Sequence, residues 1–97
     1  MKNTQGTIYL LHFAEAYKHA KHYVGFTTNL DERLESHARG TGARLLEVIT
    51  QAGIAFQLAR TWKGSRKTER RIKNRKEAPA LCPVCDPQAM RRARAIN

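Results

Sequence analysis

The chain has 97 residues and a formal charge of +10 at pH 7, because 18 Lys and Arg residues outnumber eight Asp and Glu residues. This length makes one small domain, and the charge predicts a polyanionic partner, with nucleic acid ahead of an anionic membrane surface. The apolar runs are much shorter than the ~20 residues of a membrane span and the N-terminus lacks a secretory pattern, so we expect a cytoplasmic protein with no membrane partner.

Three segments have the composition of β-strands. Residues 7–13 form a continuous run rich in β-branched and aromatic side chains, which is typical of a central strand covered on both faces. Residues 22–26 predict the returning strand of a hairpin, with residues 14–21 as a mobile connector that is long for a hairpin loop. The third strand is predicted over residues 54–62, where alternation places four apolar side chains on one face: Ile54, Phe56, Leu58 and Trp62.

A helix is predicted from residue 29 to residue 39, directly after the hairpin. Asn29 is suited to the N-cap, with Glu32 as its reciprocal partner, and Gly40 can end the helix in the left-handed conformation. One face of this helix mixes leucines with a guanidinium and an imidazole: Leu30, Arg33, Leu34 and His37.

The mixed face of this helix predicts the border of a polar site. Arg33 can hold a phosphate oxygen through forked hydrogen bonds, with His37 one turn farther along. The alternative is that Arg33 extends from an apolar seam into water and that His37 is a half-buried histidine. The helix taken alone favours this alternative, because most helix arginines are solvated.

Three more helices are predicted, and the order of the elements indicates the fold class. The first covers residues 43–51 and is ended by Gly53, and the second covers residues 65–76 and cannot continue through Pro79. The last begins at Asp86 and carries three cations: Arg91, Arg92 and Arg94. The order strand, strand, helix, helix, strand, helix favours a small mixed α+β domain over a helical bundle.

The predicted third helix has seven basic residues and one acid, Glu69. Glu69 can hold a hard divalent cation if water and a phosphate complete the coordination shell. The alternative, which the helix by itself favours, is an ordinary ion pair with Lys73 worth ~0.2–0.5 kcal/mol. Tyr9 and Tyr23 are candidates for proton transfer beside a metal or cations, although core aromatics with hydroxyls in water are commoner.

The two cysteines, Cys82 and Cys85, form one C-x-x-C pair. This pair is half of a zinc site, and the histidines that could complete it lack the spacing of a familiar zinc finger: His12, His19 and His22. A redox role would need a thioredoxin-like context, which the sequence lacks. We favour buried thiols that pack the last segment onto the sheet.

The ordered set of motifs resembles the GIY-YIG nuclease family over almost the whole chain, from residue 7 to about residue 76: Thr7-Ile8-Tyr9, Tyr23-Val24-Gly25, Arg33, His37 and Glu69. The resemblance implies a small α/β domain around a three-stranded antiparallel sheet, flanked by helices. It also implies hydrolysis of a DNA phosphodiester with one divalent metal ion, Mg²⁺ or Mn²⁺. We predict one such domain over residues 1–97, with a core at about 7–76 and a basic C-terminal extension at 77–97.

The resemblance implies a role for each matching residue. Glu69 would be the metal ligand, Arg33 the phosphate-binding arginine, and Tyr9 and Tyr23 the paired active-site tyrosines, one of them activating water. His37 matches a histidine found in part of the family, and we predict that it is catalytic by helping Tyr23 or Tyr9 to take the proton of the water.

Two positions depart from the family pattern. Thr7 replaces the glycine of the first motif, although Gly6 lies beside it, and Val24 replaces an isoleucine. Many members also have an asparagine well beyond the glutamate, but Asn74 lies only five positions after Glu69, so we assign it no role.

We therefore predict a metal-dependent DNA endonuclease that nicks DNA or cleaves particular DNA structures, in DNA repair or recombination. The expected partners are branched or damaged DNA and a targeting protein, because few residues remain for sequence readout, and no small-molecule cofactor is expected. Five cations of the third helix would track the DNA backbone: Arg66, Lys67, Arg70, Lys73 and Arg75. The alternatives are a non-catalytic basic nucleic-acid-binding module and a small RNA- or ribosome-associated protein.

Overall fold

The sheet is built from the N-terminal hairpin and one later strand. In the computed structural model, which describes residues 5–76 and 78–85, β1 (Gly6–Tyr17) lies between β2 (Ala20–Thr27) and β3 (Phe56–Gly64). Both pairings are antiparallel, and the central position of β1 explains its continuous apolar run. The predicted fold class, a mixed α+β domain around a three-stranded antiparallel sheet, is confirmed.

Four helices are present in the described part of the chain: α1 (Leu30–Ala38), α2 (Arg44–Gln51), α3 (Arg66–Asn74) and α4 (Ala78–Leu81). None of them is both long enough and apolar enough to cross a membrane. The predicted ends of α1 are confirmed, because the Asn29 side chain accepts a hydrogen bond from the Glu32 backbone N–H and Gly40 has a φ of 78°. The reciprocal role predicted for Glu32 is wrong, since the Asn29 N–H donates to the Thr27 hydroxyl instead. The helix predicted from Asp86, with its three arginines, lies outside the described residues.

The hairpin is tighter than predicted. Residues 14–21, expected to form a mobile connector, instead extend both strands, so that Tyr17 pairs with Ala20 and only Lys18 and His19 form the turn. The side chains of residues 14–16 are exposed. The register of the hairpin is irregular between His12 and Tyr17, and only Tyr17 and Ala20 at its tip pack against a core. The hydrophobic pattern missed the extension because apolar alternation is interrupted there.

A β-bulge at Ala59 corrects the prediction for β3. Leu58 pairs with Leu11, whereas Arg60 pairs with Leu10, so Ala59 is an extra residue in the ladder. Because a bulge reverses the alternation of side chains, residues before and after it lie on opposite faces of the sheet. The expected common face for Ile54, Phe56, Leu58 and Trp62 is therefore wrong, and Trp62 packs on the opposite side from Phe56.

The two faces of the sheet carry separate cores. We call the first the tyrosine face, which α1 and α2 cover and which has a buried centre: Tyr9, Leu11, Phe13, Leu46 and Ile49. We call the second the tryptophan face, which α3 and the C-terminal segment cover: Ile8, Leu10, Val24, Phe26, Trp62, Ile72, Leu81 and Cys82. Alternate residues of β1 thus supply both cores, as expected for a central strand.

The chain after α3 returns to the tryptophan face. Helix α4 was not predicted. Helix α3 ends ahead of Lys76, which has a φ of 53°, and Pro79 is tolerated in the first turn of α4, where its missing N–H is not needed. Cys82 is fully buried, whereas Cys85 is exposed. The prediction of two buried thiols is therefore right only for Cys82.

Candidate active site

Tyr9 lies at the centre of the tyrosine face with no exposed surface. It pairs across the ladder with Gly25, and a Cβ atom at Gly25 would lie 2.3 Å from the Tyr9 Cζ atom. The absence of a side chain at Gly25 therefore lets the phenol ring cross β2. The Tyr9 hydroxyl reaches the Nε2 atom of His37 on α1, at 2.7 Å.

His37 is held by hydrogen bonds on both ring nitrogens. Its Nδ1 atom lies 3.2 Å from the Thr41 carbonyl oxygen, which can only accept, so the imidazole proton belongs on Nδ1. The Nε2 atom then accepts the Tyr9 O–H. Burial lowers the pKa of His37 below its ordinary value of 6.5; the bond to Thr41 opposes this shift and the Arg33 charge adds to it. His37 is therefore neutral at pH 7.

Tyr9 is correspondingly a neutral phenol. Burial raises its pKa well above the ordinary value of 10.0, and the neighbouring Tyr23 raises it further, while the positive charge of Arg33 opposes the shift. The Arg33 side chain, one turn before His37 on α1, also interacts directly with the Tyr9 hydroxyl. The resting site therefore holds Tyr9 as a hydrogen-bond donor rather than as a base.

Tyr23 completes a cluster of three rings. Its ring centroid is 6.1 Å from that of Tyr9 and 5.5 Å from that of His37, and the Tyr9 and His37 centroids are 5.7 Å apart. We call these three residues the ring triad. Tyr23 is only partly buried, so it is the phenol of the triad that solvent and a substrate can reach.

Helix α3 covers the other face of the sheet, yet it reaches the triad across the edge strand β2. The Lys73 ammonium lies 5.1 Å from the centroid of the Tyr23 ring and 3.0 Å from the Glu69 carboxylate. The side chain of Glu69 is 15% exposed and that of Lys73 is 45% exposed, so the pair faces solvent at this edge. The ion pair that the sequence offered as the alternative role of Glu69 is present, and through Lys73 it connects Glu69 to Tyr23.

The structure thus brings side chains of β1, β2, α1 and α3 together around the Tyr23 ring. A family model, the GIY-YIG catalytic domain, matches residues 5–80. The chain belongs to the GIY-YIG family. No curated protein and no solved structure matches the chain. The predicted family is therefore confirmed, and GIY-YIG domains are those of nucleases, which generally depend on a metal ion and act on DNA.

Two features of the GIY-YIG site were not found from the sequence. Lys73 was predicted to bind DNA or to pair with Glu69, but its packing on Tyr23 was not predicted, because that contact joins α3 to a distant strand. The Thr41 carbonyl that sets the His37 tautomer is a backbone group, so no side-chain pattern could reveal it. Gly42, whose Cβ would lie 3.3 Å from His37 Cε1, has a φ of 92° and shapes the same loop.

The glycine-to-threonine departure from the family motif lies in the hairpin ladder. Thr7 occupies the position of the motif glycine, but Gly6 makes the close approach: its Cβ would lie 2.8 Å from the Thr27 carbonyl oxygen and from the Phe26 ring. Thr7 itself pairs with Thr27 in the hairpin ladder. The close approach thus restricts residue 6 to glycine, while the ladder accommodates a threonine at residue 7.

The cations predicted to bind DNA are all exposed: Arg66, Lys67, Arg70, Lys73 and Arg75. Arg66 also lies over the Phe26 ring, 5.0 Å from its centroid. These residues lie along α3 and at its C-cap, and the same helix carries Glu69. A surface of this kind can attract a phosphate backbone toward the ring triad.

Proposed function

We propose that this GIY-YIG protein is a metal-dependent endonuclease that hydrolyses phosphodiester bonds in DNA. The observation that supports this most is the meeting of Tyr23 with both the Tyr9–His37 pair and the Lys73–Glu69 pair. A domain that only binds nucleic acid needs cations, but it does not need buried phenols and a carboxylate beside them.

Glu69 is suited to hold the divalent ion, which we propose is Mg²⁺ or Mn²⁺. A single partly exposed carboxylate fits these hard cations, since they commonly keep several waters and take further oxygens from substrate phosphates. When bound, such an ion polarises the scissile phosphate and stabilises the leaving oxygen. Lys73 neutralises Glu69 until then, so the carboxylate has a charge partner with and without the ion.

Arg33 would bind the scissile phosphate. Its guanidinium is partly buried on α1 beside the Tyr9 hydroxyl, and a guanidinium matches the geometry of phosphate oxygens. A fixed positive charge at this position stabilises the charge that develops on the non-bridging oxygens during attack.

Tyr23 and Tyr9 would have different roles. Tyr23 is the partly exposed phenol beside the Lys73 ammonium, so we propose that it contacts the attacking water. Once it has released its own proton to solvent, its phenolate takes the proton of that water. Tyr9 has no exposed surface and donates a hydrogen bond from its hydroxyl to His37, so it acts as a positioning residue that fixes the triad. His37 accepts that bond and stays neutral.

The wider role that we propose follows from the size and charge of the domain. Its exposed α3 cations would bind DNA backbone regardless of sequence, which suits branched or damaged DNA in repair or recombination. A protein partner would then direct the domain to its sites. A cytoplasmic location, the domain bounds and the absence of a small-molecule cofactor stay predictions.

Glu69→Gln and Arg33→Ala test the proposal on plasmid, single-stranded and branched DNA with Mg²⁺ or Mn²⁺. We expect each variant to lose cleavage by at least about 100-fold and to retain DNA binding within a few-fold. Glu35→Gln and Arg39→Ala are matched controls, since this exposed pair lies on α1 with a separation of 3.6 Å, and they should cleave normally. Undiminished cleavage by both site variants would contradict the proposed chemistry, and binding without cleavage by wild-type protein would favour the non-catalytic module.

A further inference from the structure

A second group of polar side chains lies on the tryptophan face, where the proposed function does not use it. His12 on β1 and His22 on β2 are directly opposite each other in the ladder, so both imidazoles project from the same face of the hairpin. The turn that contains Cys82 and Cys85 lies against them, 70 residues farther along the chain. The hairpin and the C-terminal segment thus each contribute two candidate metal ligands.

The four donor atoms lie close together, as the ligands of a single ion do. The two imidazole nitrogens, His12 Nδ1 and His22 Nε2, are 3.3 Å apart. His12 Nδ1 lies 3.4 Å from Cys82 Sγ and 3.6 Å from Cys85 Sγ, while His22 Nε2 lies 3.3 Å from Cys85 Sγ. All four atoms lie within 4.8 Å of one another.

These separations suit one tetrahedral zinc ion. With Zn–N bonds of about 2.05 Å and Zn–S bonds of about 2.3 Å, tetrahedral angles require separations of about 3.3 Å between nitrogens, about 3.6 Å from nitrogen to sulfur and about 3.8 Å between sulfurs. The four short nitrogen–nitrogen and nitrogen–sulfur separations, 3.3–3.6 Å, agree with this geometry to within about 0.3 Å.

Hydrogen bonding does not account for the arrangement. His12 Nδ1 has three neighbours at 3.3–3.6 Å, but an imidazole nitrogen offers either one N–H or one lone pair. At most one of these contacts can use it fully. A metal ion inside the cluster would instead take one lone pair from each of the four donors.

Simple packing can account for Cys82 but not for Cys85. Cys82 is fully buried and can serve as a small apolar side chain. Cys85 is exposed, so burial of its thiol gives little stabilisation. Its position beside both histidines, however, is what a fourth ligand requires.

We propose that His12 Nδ1, His22 Nε2 and the thiolates of Cys82 and Cys85 bind one structural Zn²⁺ ion. Four protein ligands leave no open position for a substrate, which is typical of structural rather than catalytic zinc. The ion would join the β1–β2 hairpin to the segment after α4. Thiolate and imidazole ligands select zinc, whereas the lone carboxylate at the hydrolytic site selects a hard ion.

Metal content and thermal unfolding of the purified protein test the proposal independently of nuclease activity. We expect one zinc per chain, and we expect Co²⁺ reconstitution to give the visible bands of tetrahedral cobalt with thiolate charge transfer. Removal of zinc by a strong chelator should lower the melting temperature by about 10 °C or more, and Zn²⁺ but not Mg²⁺ should restore it.

Cys85→Ser provides the sharpest variant, because serine at an exposed position costs little packing. It should lose the zinc and have a melting temperature like that of chelated wild-type protein. His19→Ala, at the tip of the same hairpin, is the matched control and should retain both the zinc and the melting temperature. A wild-type protein with no zinc after reconstitution, a Cys82–Cys85 disulfide in the reduced purification, or Cys85→Ser indistinguishable from His19→Ala would each overturn the proposal.

Discussion

The two faces of the sheet use histidine in opposite ways. On the tyrosine face, His37 is saturated by a phenol and a backbone carbonyl, beside a guanidinium and near a carboxylate. On the tryptophan face, His12 and His22 have two thiols as neighbours. The first environment has oxygen and nitrogen groups suited to phosphate chemistry; the second has the soft donors of a zinc site.

The proposed hydrolytic site and the proposed zinc site, which would stabilise the fold, thus lie on opposite faces of one small sheet. Tyr9 and Leu10 are adjacent in β1, yet they belong to different cores. Because side chains alternate along a strand, a change on one face need not disturb the other. Variants of either face should therefore affect different measurable quantities.

Replacement of the two tyrosines should separate their roles and gives the largest expected effect. Tyr23→Phe should lower cleavage by about 100-fold or more, because it removes the proposed proton acceptor. Tyr9→Phe should lower cleavage by no more than about tenfold and destabilise the protein by about 1–3 kcal/mol, because it leaves His37 Nε2 without its donor. Both variants should retain zinc.

Tyr17→Phe is the control for these variants, since this partly buried tyrosine lies at the other end of β1. Single-turnover cleavage and urea unfolding are the measurements. If Tyr9→Phe reduced cleavage more than Tyr23→Phe, the assignment of the two phenols would be reversed.

Gly25→Ala should disturb the tyrosine face through a clash. Its Cβ would lie 2.3 Å from Tyr9 Cζ, so we expect destabilisation of about 1–3 kcal/mol and reduced cleavage as the ring moves. A double-mutant cycle with Tyr9→Ala checks the cause, because the cost of Gly25→Ala should shrink once the ring is gone. An unchanged cost in that background would assign the effect to the backbone instead.

Protonation of His37 should have the smallest effect on stability at neutral pH, because the histidine is neutral there. Its tautomer also tests the histidine environment that distinguishes the tyrosine face from the tryptophan face. Burial lowers the pKa of His37, so the unfolded chain binds more protons than the folded one as pH falls below 6.5. The stabilisation from neutral His37 is present above this pH and declines below it, toward its lower folded pKa. NMR titration should show His37 neutral at pH 7 with its proton on Nδ1; a proton on Nε2 or a pKa above 6.5 would contradict the geometry.

Much of the fold follows from local patterns. The hairpin, the caps of α1 and the mixed fold class were predicted because each depends on neighbouring residues: apolar runs, Asn29 at an N-cap and Gly40 at a left-handed position. The extent of the hairpin was missed because residues 14–16 are exposed and lie where the register is irregular, between His12 and Tyr17, so no apolar alternation marks them as a strand. The ordered motifs also predicted the family, since they specify chemistry as well as structure.

The sequence by itself determined the family, the sheet and the set of reactive side chains, because these depend on residue types and their order. Only the tertiary structure decided which faces they occupy. The bulge at Ala59 places Phe56 and Trp62 on opposite faces of the sheet. The segment after α4 packs back onto the hairpin and places Cys82 and Cys85 beside two histidines. Contacts between distant segments depend on how the elements pack, and no local spacing records that packing.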